Sequence, residues 1–99
     1  MQEELLKLRR KFQSQPDDFI RACHQVIIQA YPGLILRWSR IYGKRWSYLY
    51  GGEEGPDTVG LNALRIKLNS DFGVCIENPD RLTQAELNQL TGLLKECFR

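Results

Sequence analysis

The hydrophobic period of this chain changes twice, and these changes restrict the folds open to it. Apolar residues recur every three or four positions up to residue 30, as on one face of a helix, and alternate from residue 34 onwards, as in a strand. Tyr31-Pro32-Gly33 separates the two regions, because proline cannot continue a helix and glycine permits the chain to reverse. Asn78-Pro79-Asp80 ends the alternating region, and a second helical pattern follows. Helices at both ends therefore enclose a run of strands.

Two helices are predicted before the strands. The first has Leu5, Leu8 and Phe12 on one face and a basic run at positions 7–11, which is typical of a solvated face. Beyond the strands, this helix is the best candidate for docking a partner. Ser14 is expected to be the N-cap of the second helix, with Asp17 completing a capping box.

The final helix has the most complete start signal. Thr83 is the predicted N-cap, and Glu86 stands three residues later, where its side chain can return a hydrogen bond to the backbone of the cap. An apolar stripe follows at helical spacing: Leu87, Leu90, Leu94 and Cys97. We expect this stripe to cover one face of the sheet.

The first two strands are predicted at 34–42 and 45–51. Gly43-Lys44 lies between them and suits a two-residue hairpin turn, because the first position of such a turn favours glycine. These residues therefore predict a β-hairpin.

Two further strands are predicted later in the chain. Apolar and basic residues alternate from Leu64 to Leu68, which is typical of a strand that is wet on one side. The stretch 69–73 is expected to turn the chain into a fourth strand at 74–76, and the stretch 52–60 has the composition of an exposed loop.

The order of elements, α-α-β-β-β-β-α, predicts the α+β fold class. We expect two N-terminal helices, a four-stranded antiparallel β-meander and a C-terminal helix packed on one sheet face. Because 99 residues supply one modest core, residues 1–99 are predicted to form a single domain. The other face of the sheet would then carry no helix.

The hairpin nearly repeats itself, since the pattern R-W-S-x-[I/L]-Y-G occurs from Arg37 to Gly43 and again from Arg45 to Gly51. Similar strand environments explain this better than duplication, because the offset is far shorter than the periods of repeat proteins. Aromatic and basic residues concentrate in the hairpin and form the candidate binding set: Arg37, Trp38, Arg40, Tyr42, Lys44, Arg45, Trp46, Tyr48 and Tyr50.

The hairpin register decides which of these side chains share a face. With a three-residue loop, even positions pair with even positions, and the five rings gather on one face. With a two-residue turn, Trp38 and Tyr42 lie on the face opposite the other three, which are Trp46, Tyr48 and Tyr50. Both registers remain open at this point.

Three interpretations of the hairpin also remain open. The rings are ordinary cross-strand packing, or they present a surface to a protein, since tryptophan, tyrosine and arginine are enriched at interfaces. Alternatively, the rings stack on bases while the basic residues contact phosphates. We predict a small non-enzymatic interaction or regulatory module that presents the aromatic-basic hairpin to a protein partner, with binding of single-stranded nucleic acid or RNA as the alternative.

The distribution of charge leaves self-association open as well. Residues 1–50 carry nine basic and four acidic side chains, whereas residues 51–99 carry five and eight. Opposite charge in the two halves is compatible with a basic binding surface or with a homodimer, and also with simple complementarity inside one fold.

The sequence contains no recognisable catalytic or metal-binding pattern. Cys23 and His24 are adjacent, but neighbours on a helix point about 100° apart, so their side chains are poorly placed to act together. No catalytic residue, metal ligand or cofactor is predicted. The three cysteines are expected to be reduced and buried, and the chain, which lacks a long apolar segment, is expected to be cytoplasmic.

Overall fold

A computed structural model describes residues 1–52 and 63–99 of the chain. It confirms the α+β class, with helices at both ends of the chain and a four-stranded antiparallel sheet between them. Most of the predicted loop at 52–60 lies outside the described residues. The elements are α1 (Gln2–Lys11), α2 (Pro16–Ala30), β1 (Leu36–Tyr42), β2 (Arg45–Gly51), β3 (Leu64–Lys67), β4 (Phe72–Ile76) and α3 (Gln84–Cys97), with a short 3-10 helix at Pro79–Arg81.

The two predicted capping boxes have different outcomes. At the start of α3, Thr83 Oγ1 accepts from the Glu86 backbone N–H at 3.2 Å, and Glu86 Oε1 accepts from the Thr83 N–H at 3.0 Å, which confirms the box. The box predicted at Ser14 is wrong, since the N-cap of α2 is Gln15 and its side chain makes no capping bond. Pro16 occupies the first helical turn, where its fixed φ suits the helix, and so places the cap at the preceding residue.

The strand order is β2-β1-β4-β3, which differs from the predicted meander. Both hairpins form, β1 with β2 and β3 with β4, but they join through β1 and β4. All five residues of β4 are buried, and such a strand needs a neighbour on each side. In β3 the basic residues are exposed, which suits an edge position.

The helices and the sheet share one core on a single face of the sheet. Trp38 lies fully buried within it, and its ring centroid is 5.9 Å from that of Phe98, the residue after α3. Phe98 also contacts Phe19 of α2 and Phe72 of β4, with centroids 5.2 and 6.1 Å apart. Leu90 and Leu94 belong to the same cluster, so α3 packs on the sheet as predicted.

Polar side chains tie the connections to this core. Arg9 of α1 donates from its guanidinium to the backbone oxygens of Glu96 and Arg99, at 3.2 and 3.1 Å. The predicted solvated basic run therefore supplies at least one structural contact, a cation that satisfies carbonyls at the end of α3. The Asn78 side chain accepts from the Ile35 N–H and donates to the Gly33 oxygen, both at 2.8 Å. These bonds connect the two segments that separate the helices from the strands in the sequence.

Candidate functional site

The sheet face that points away from the shared core is the candidate site. Ile41 and Cys75 are buried there, yet neither belongs to the core that includes the helices. The strand pairings place the members of this face in adjacent rows. We call the surface formed by the following residues the outer face: Arg37, Ser39, Ile41, Trp46, Tyr48, Arg65, Lys67, Gly73 and Cys75.

Trp46 extends across the middle of the outer face. It comes from β2 at one edge of the sheet, and its ring reaches Gly73 of β4, two strands away. A Cβ on Gly73 would overlap the ring atoms Cζ3 and Cη2. Glycine at position 73 therefore permits the indole to rest on the backbone of the sheet.

Arg65 meets the same ring from the opposite edge. Its guanidinium carbon is 5.5 Å from the centroid of the Trp46 ring, which is cation–π geometry. Trp46 and Arg65 belong to the two edge strands, so their contact bridges the sheet above the two central strands. An exposed contact of this kind contributes about 0.5 to 1 kcal/mol and orders both side chains.

A second contact between an arginine and an aromatic ring lies beside the first. The guanidinium carbon of Arg37 is 5.6 Å from the centroid of Tyr48, and Arg37 Nε donates to Glu77 Oε1 at 2.8 Å. The Tyr48 hydroxyl donates to the Gly51 oxygen at 2.7 Å, and Tyr48 remains 59% exposed. The outer face thus combines two aromatic rings, each associated with an arginine.

The floor of the outer face is small and buried. Cys75 is the direct neighbour of Arg37 on β1 and of Arg65 on β3. Burial raises the pKa of its thiol, and Glu77 raises it further, while the two arginines act in the opposite direction. Cys75 is therefore a neutral part of the floor at physiological pH and is a poor nucleophile.

A two-residue turn and a bulge decide which hairpin residues reach this face. Tyr42 pairs with Arg45 across Gly43-Lys44, and Gly43 has φ +64°, so the turn is the two-residue type that was predicted. The register then shifts between Trp38 and Ser39, which leaves Leu49 without a partner on β1. Because of this bulge, Tyr50 pairs with Trp38 and leaves the face of Trp46 and Tyr48.

The nine residues predicted as a binding set are consequently divided. Arg37, Trp46 and Tyr48 lie on the outer face. Exposed residues at the hairpin end form a second group, which consists of Tyr42, Lys44 and Arg45. The remaining three, Trp38, Arg40 and Tyr50, lie on the face towards the core.

Trp38 requires a correction, because a fully buried ring cannot contact a partner. Its indole N–H donates to His24 Nδ1 at 3.1 Å, and the His24 ring makes an edge contact with Tyr50 at 5.1 Å between centroids. Burial lowers the pKa of His24, so the ring is neutral and its Nδ1 is free to accept. Arg40 also serves packing, with its guanidinium carbon 5.3 Å from the Phe72 centroid.

The predicted binding set lacked six of the nine outer-face residues: Ser39, Ile41, Arg65, Lys67, Gly73 and Cys75. It also lacked Glu77, which pairs with Arg37. The sequence predicts Gly73 in a turn, whereas β4 already begins at Phe72. The signal for the cations was present in the alternation of the third strand, which placed Arg65 and Lys67 on its wet side. What alternation does not contain is the strand order that brings them next to β4 and towards Trp46.

The three cysteines are free and buried, as predicted. Burial raises the pKa of Cys23 to about 12, and the neighbouring Cys97 adds to the effect. Among residues 1–52 and 63–99, no group of His, Cys, Asp and Glu side chains is arranged to hold a metal ion.

No known protein family, curated protein or solved structure shows significant similarity to this chain. Within the described part of the chain, every helix is too short or too polar to cross a bilayer.

Proposed function

We propose that this protein is a non-enzymatic interaction module whose outer face binds a protein partner. The observation that carries the proposal is the bridge between Trp46 and Arg65, laid over Gly73. Tryptophan, tyrosine and arginine are the residues that most often dominate binding energy at protein interfaces. Here they are held by strands and by each other, so a partner would meet side chains that have already lost much of their conformational freedom.

The packing of the rings favours a protein over single-stranded nucleic acid. Base stacking needs an open ring face, and one side of Trp46 rests on Gly73 while Arg65 lies at its ring. Tyr48 likewise has Arg37 at its ring. A base that stacked on the arginine side of either ring would have to displace a guanidinium, whereas a protein can contact ring edges and the guanidinium donors together.

A cytoplasmic location is part of this proposal. Three free cysteines in one small domain are typical of a reducing compartment, because secreted domains of this size more often use their cysteines in disulfides.

Two tyrosines offer a matched pair of variants for the test. Tyr42 and Tyr48 are equally exposed, at 59% each, but Tyr48 lies on the outer face and Tyr42 at the end of the hairpin. The immobilised protein is screened against a displayed library of short random peptides, and each binder is then measured against Tyr48→Ala and Tyr42→Ala. We expect binders that lose at least tenfold in affinity with Tyr48→Ala and are unaffected by Tyr42→Ala, corresponding to about 1.4 kcal/mol.

Two outcomes would reject the proposal. Binders that tolerate Tyr48→Ala while losing affinity with Tyr42→Ala would move the surface to the hairpin end. The screen is paralleled by titration with a labelled single-stranded oligonucleotide at low and high salt. Oligonucleotide binding that falls steeply with salt, without any peptide binder, would establish the nucleic-acid alternative.

A further inference from the structure

The outer face carries two cations that the described residues do not neutralise. Arg37 is paired with Glu77, but neither Arg65 nor Lys67 makes an ion pair with any residue in 1–52 or 63–99. Asp71 stands at the exposed turn before β4 and is not paired with either cation. Acidic groups of a partner could therefore bind Arg65 and Lys67 without breaking an ion pair among the described residues.

Arg65 also has a side chain suited to a particular kind of ligand. A guanidinium that lies against a ring keeps its N–H donors in its own plane, and these donors form a fork that matches the two oxygens of a carboxylate. Because Trp46 already restricts Arg65, less side-chain entropy is lost when a carboxylate binds.

The spacing of the two cations adds a geometric requirement. Arg65 and Lys67 are two positions apart on one strand, so they point to the same side of the sheet. Their Cα atoms are separated by about 7 Å, given the rise of about 3.3 Å per strand residue. Two carboxylates that are also two positions apart in an extended segment have the same separation.

A second copy of this chain is a poor occupant of the same surface. A two-fold dimer brings the same patch of both copies together, so each copy would set Arg65 and Lys67 against a surface with the same unneutralised cations. Like charges placed together at an interface oppose association. The charge of the outer face therefore favours a different and acidic molecule.

We propose that the partner of the outer face is an acidic protein segment in which two Asp or Glu side chains, two positions apart, bind Arg65 and Lys67. This inference rests on the function proposed above, since it assumes that the outer face binds protein.

The test uses the peptides that bind the outer face, meaning those lost with Tyr48→Ala and retained with Tyr42→Ala. We expect Asp or Glu at positions i and i+2 in these peptides. Exchanging either acid for its amide should weaken binding about tenfold, which is the range of a hydrogen bond to a charged group.

Variants of the protein test the same contacts from the other side. Arg65→Gln and Lys67→Gln should each weaken the acidic peptide about tenfold and have much less effect on its amide analogue. Arg10→Gln and Lys95→Gln alter exposed residues of α1 and α3, change the net charge equally, and should leave affinity within twofold. Arg65→Lys should not restore full affinity, because an ammonium lacks the planar fork.

The two proposals fail in different ways. Outer-face peptides without the acid pair, or with affinity that is insensitive to Arg65→Gln and Lys67→Gln, would overturn the acidic partner and leave a protein-binding outer face. Recovery of no peptide that is sensitive to Tyr48→Ala would overturn both. Equal losses with all four charge variants would show only long-range attraction and would also reject the specific contacts.

Discussion

Replacing Gly73 with alanine tests the packing on which the outer face depends. The added Cβ would overlap Cζ3 and Cη2 of Trp46 and would lie 3.1 Å from Cε3. These atoms belong to a rigid ring, so the indole must lift as a unit or the strand must move. The backbone at Gly73 is not in the left-handed region, so conformational strain does not confuse the result.

Two destabilising terms and one stabilising term set the expected size of the effect. Overpacking typically costs about 1 to 3 kcal/mol, and the loss of the Arg65 contact adds about 0.5 to 1 kcal/mol. Replacing glycine inside a strand returns about 0.5 to 1 kcal/mol. Gly73→Ala should therefore lower the free energy of unfolding by about 2 kcal/mol, within a range of about 0.5 to 3.5 kcal/mol, and lower the Tm of a domain of this size by roughly 10 °C.

Chemical denaturation with fluorescence detection measures both consequences. Lifting the indole should shift the emission of Trp46 to longer wavelength and increase its quenching by acrylamide, while buried Trp38 contributes equally in both proteins. Gly92→Ala is the control, because a Cβ there meets nothing within 4 Å and alanine favours the helix by about 0.5 to 1 kcal/mol.

The double variant decides whether Trp46 is the cause. In a Trp46→Ser background the clash is absent, so Gly73→Ala should be neutral or slightly stabilising. If Gly73→Ala instead stabilises the wild-type protein as Gly92→Ala does, the indole does not rest on position 73, and the account of the outer face is refuted.

Three further predictions concern the core and the caps. Thr83→Ala should cost about 1 kcal/mol in the free energy of unfolding through loss of the cap, while Ser14→Ala should change it by less than about 0.5 kcal/mol in the same denaturation series. Burial lowers the pKa of His24 from 6.5, so the neutral form of His24 contributes stability that is complete above pH 6.5 and is lost as the pH falls through the pKa of the folded state. Denaturation between pH 7 and pH 5 should show this loss, and His24→Phe should flatten the pH dependence of the free energy of unfolding in this range. The Cys23 thiol, with its pKa raised to about 12, should resist a thiol reagent at pH 8 until the protein unfolds, and rapid labelling of the native protein would contradict its burial.

The helices and their ends were the part most accessible from sequence. The capping box of α3 depends on Thr83 and Glu86, which are three residues apart, so the short chain segment contains the whole interaction. The failure at Ser14 has a similarly local origin, since Pro16 competes for the same helix start and defines it one residue later.

The division of the aromatic residues was less accessible. Strand alternation predicted that Trp38 and Trp46 lie on opposite faces once the two-residue turn is known, and they do. Tyr50 departs from this pattern because the bulge adds one residue to β2 after Tyr48. A bulge reflects how two paired strands twist and fit together, and composition carries little trace of it.

The chain by itself therefore determined the features that depend on neighbours in sequence: the order of helices and strands, the hairpin turn at Gly43, the burial of its cysteines and the cap of α3. The tertiary structure alone decided that β4 enters the centre of the sheet, that Gly73 comes to lie beneath Trp46, and that Arg65 crosses from the far edge to meet them. These residues are far apart in the chain, and their meeting depends on strand order and on packing between strands. Such contacts arise only when the whole core assembles, so the candidate site became visible only in the folded protein.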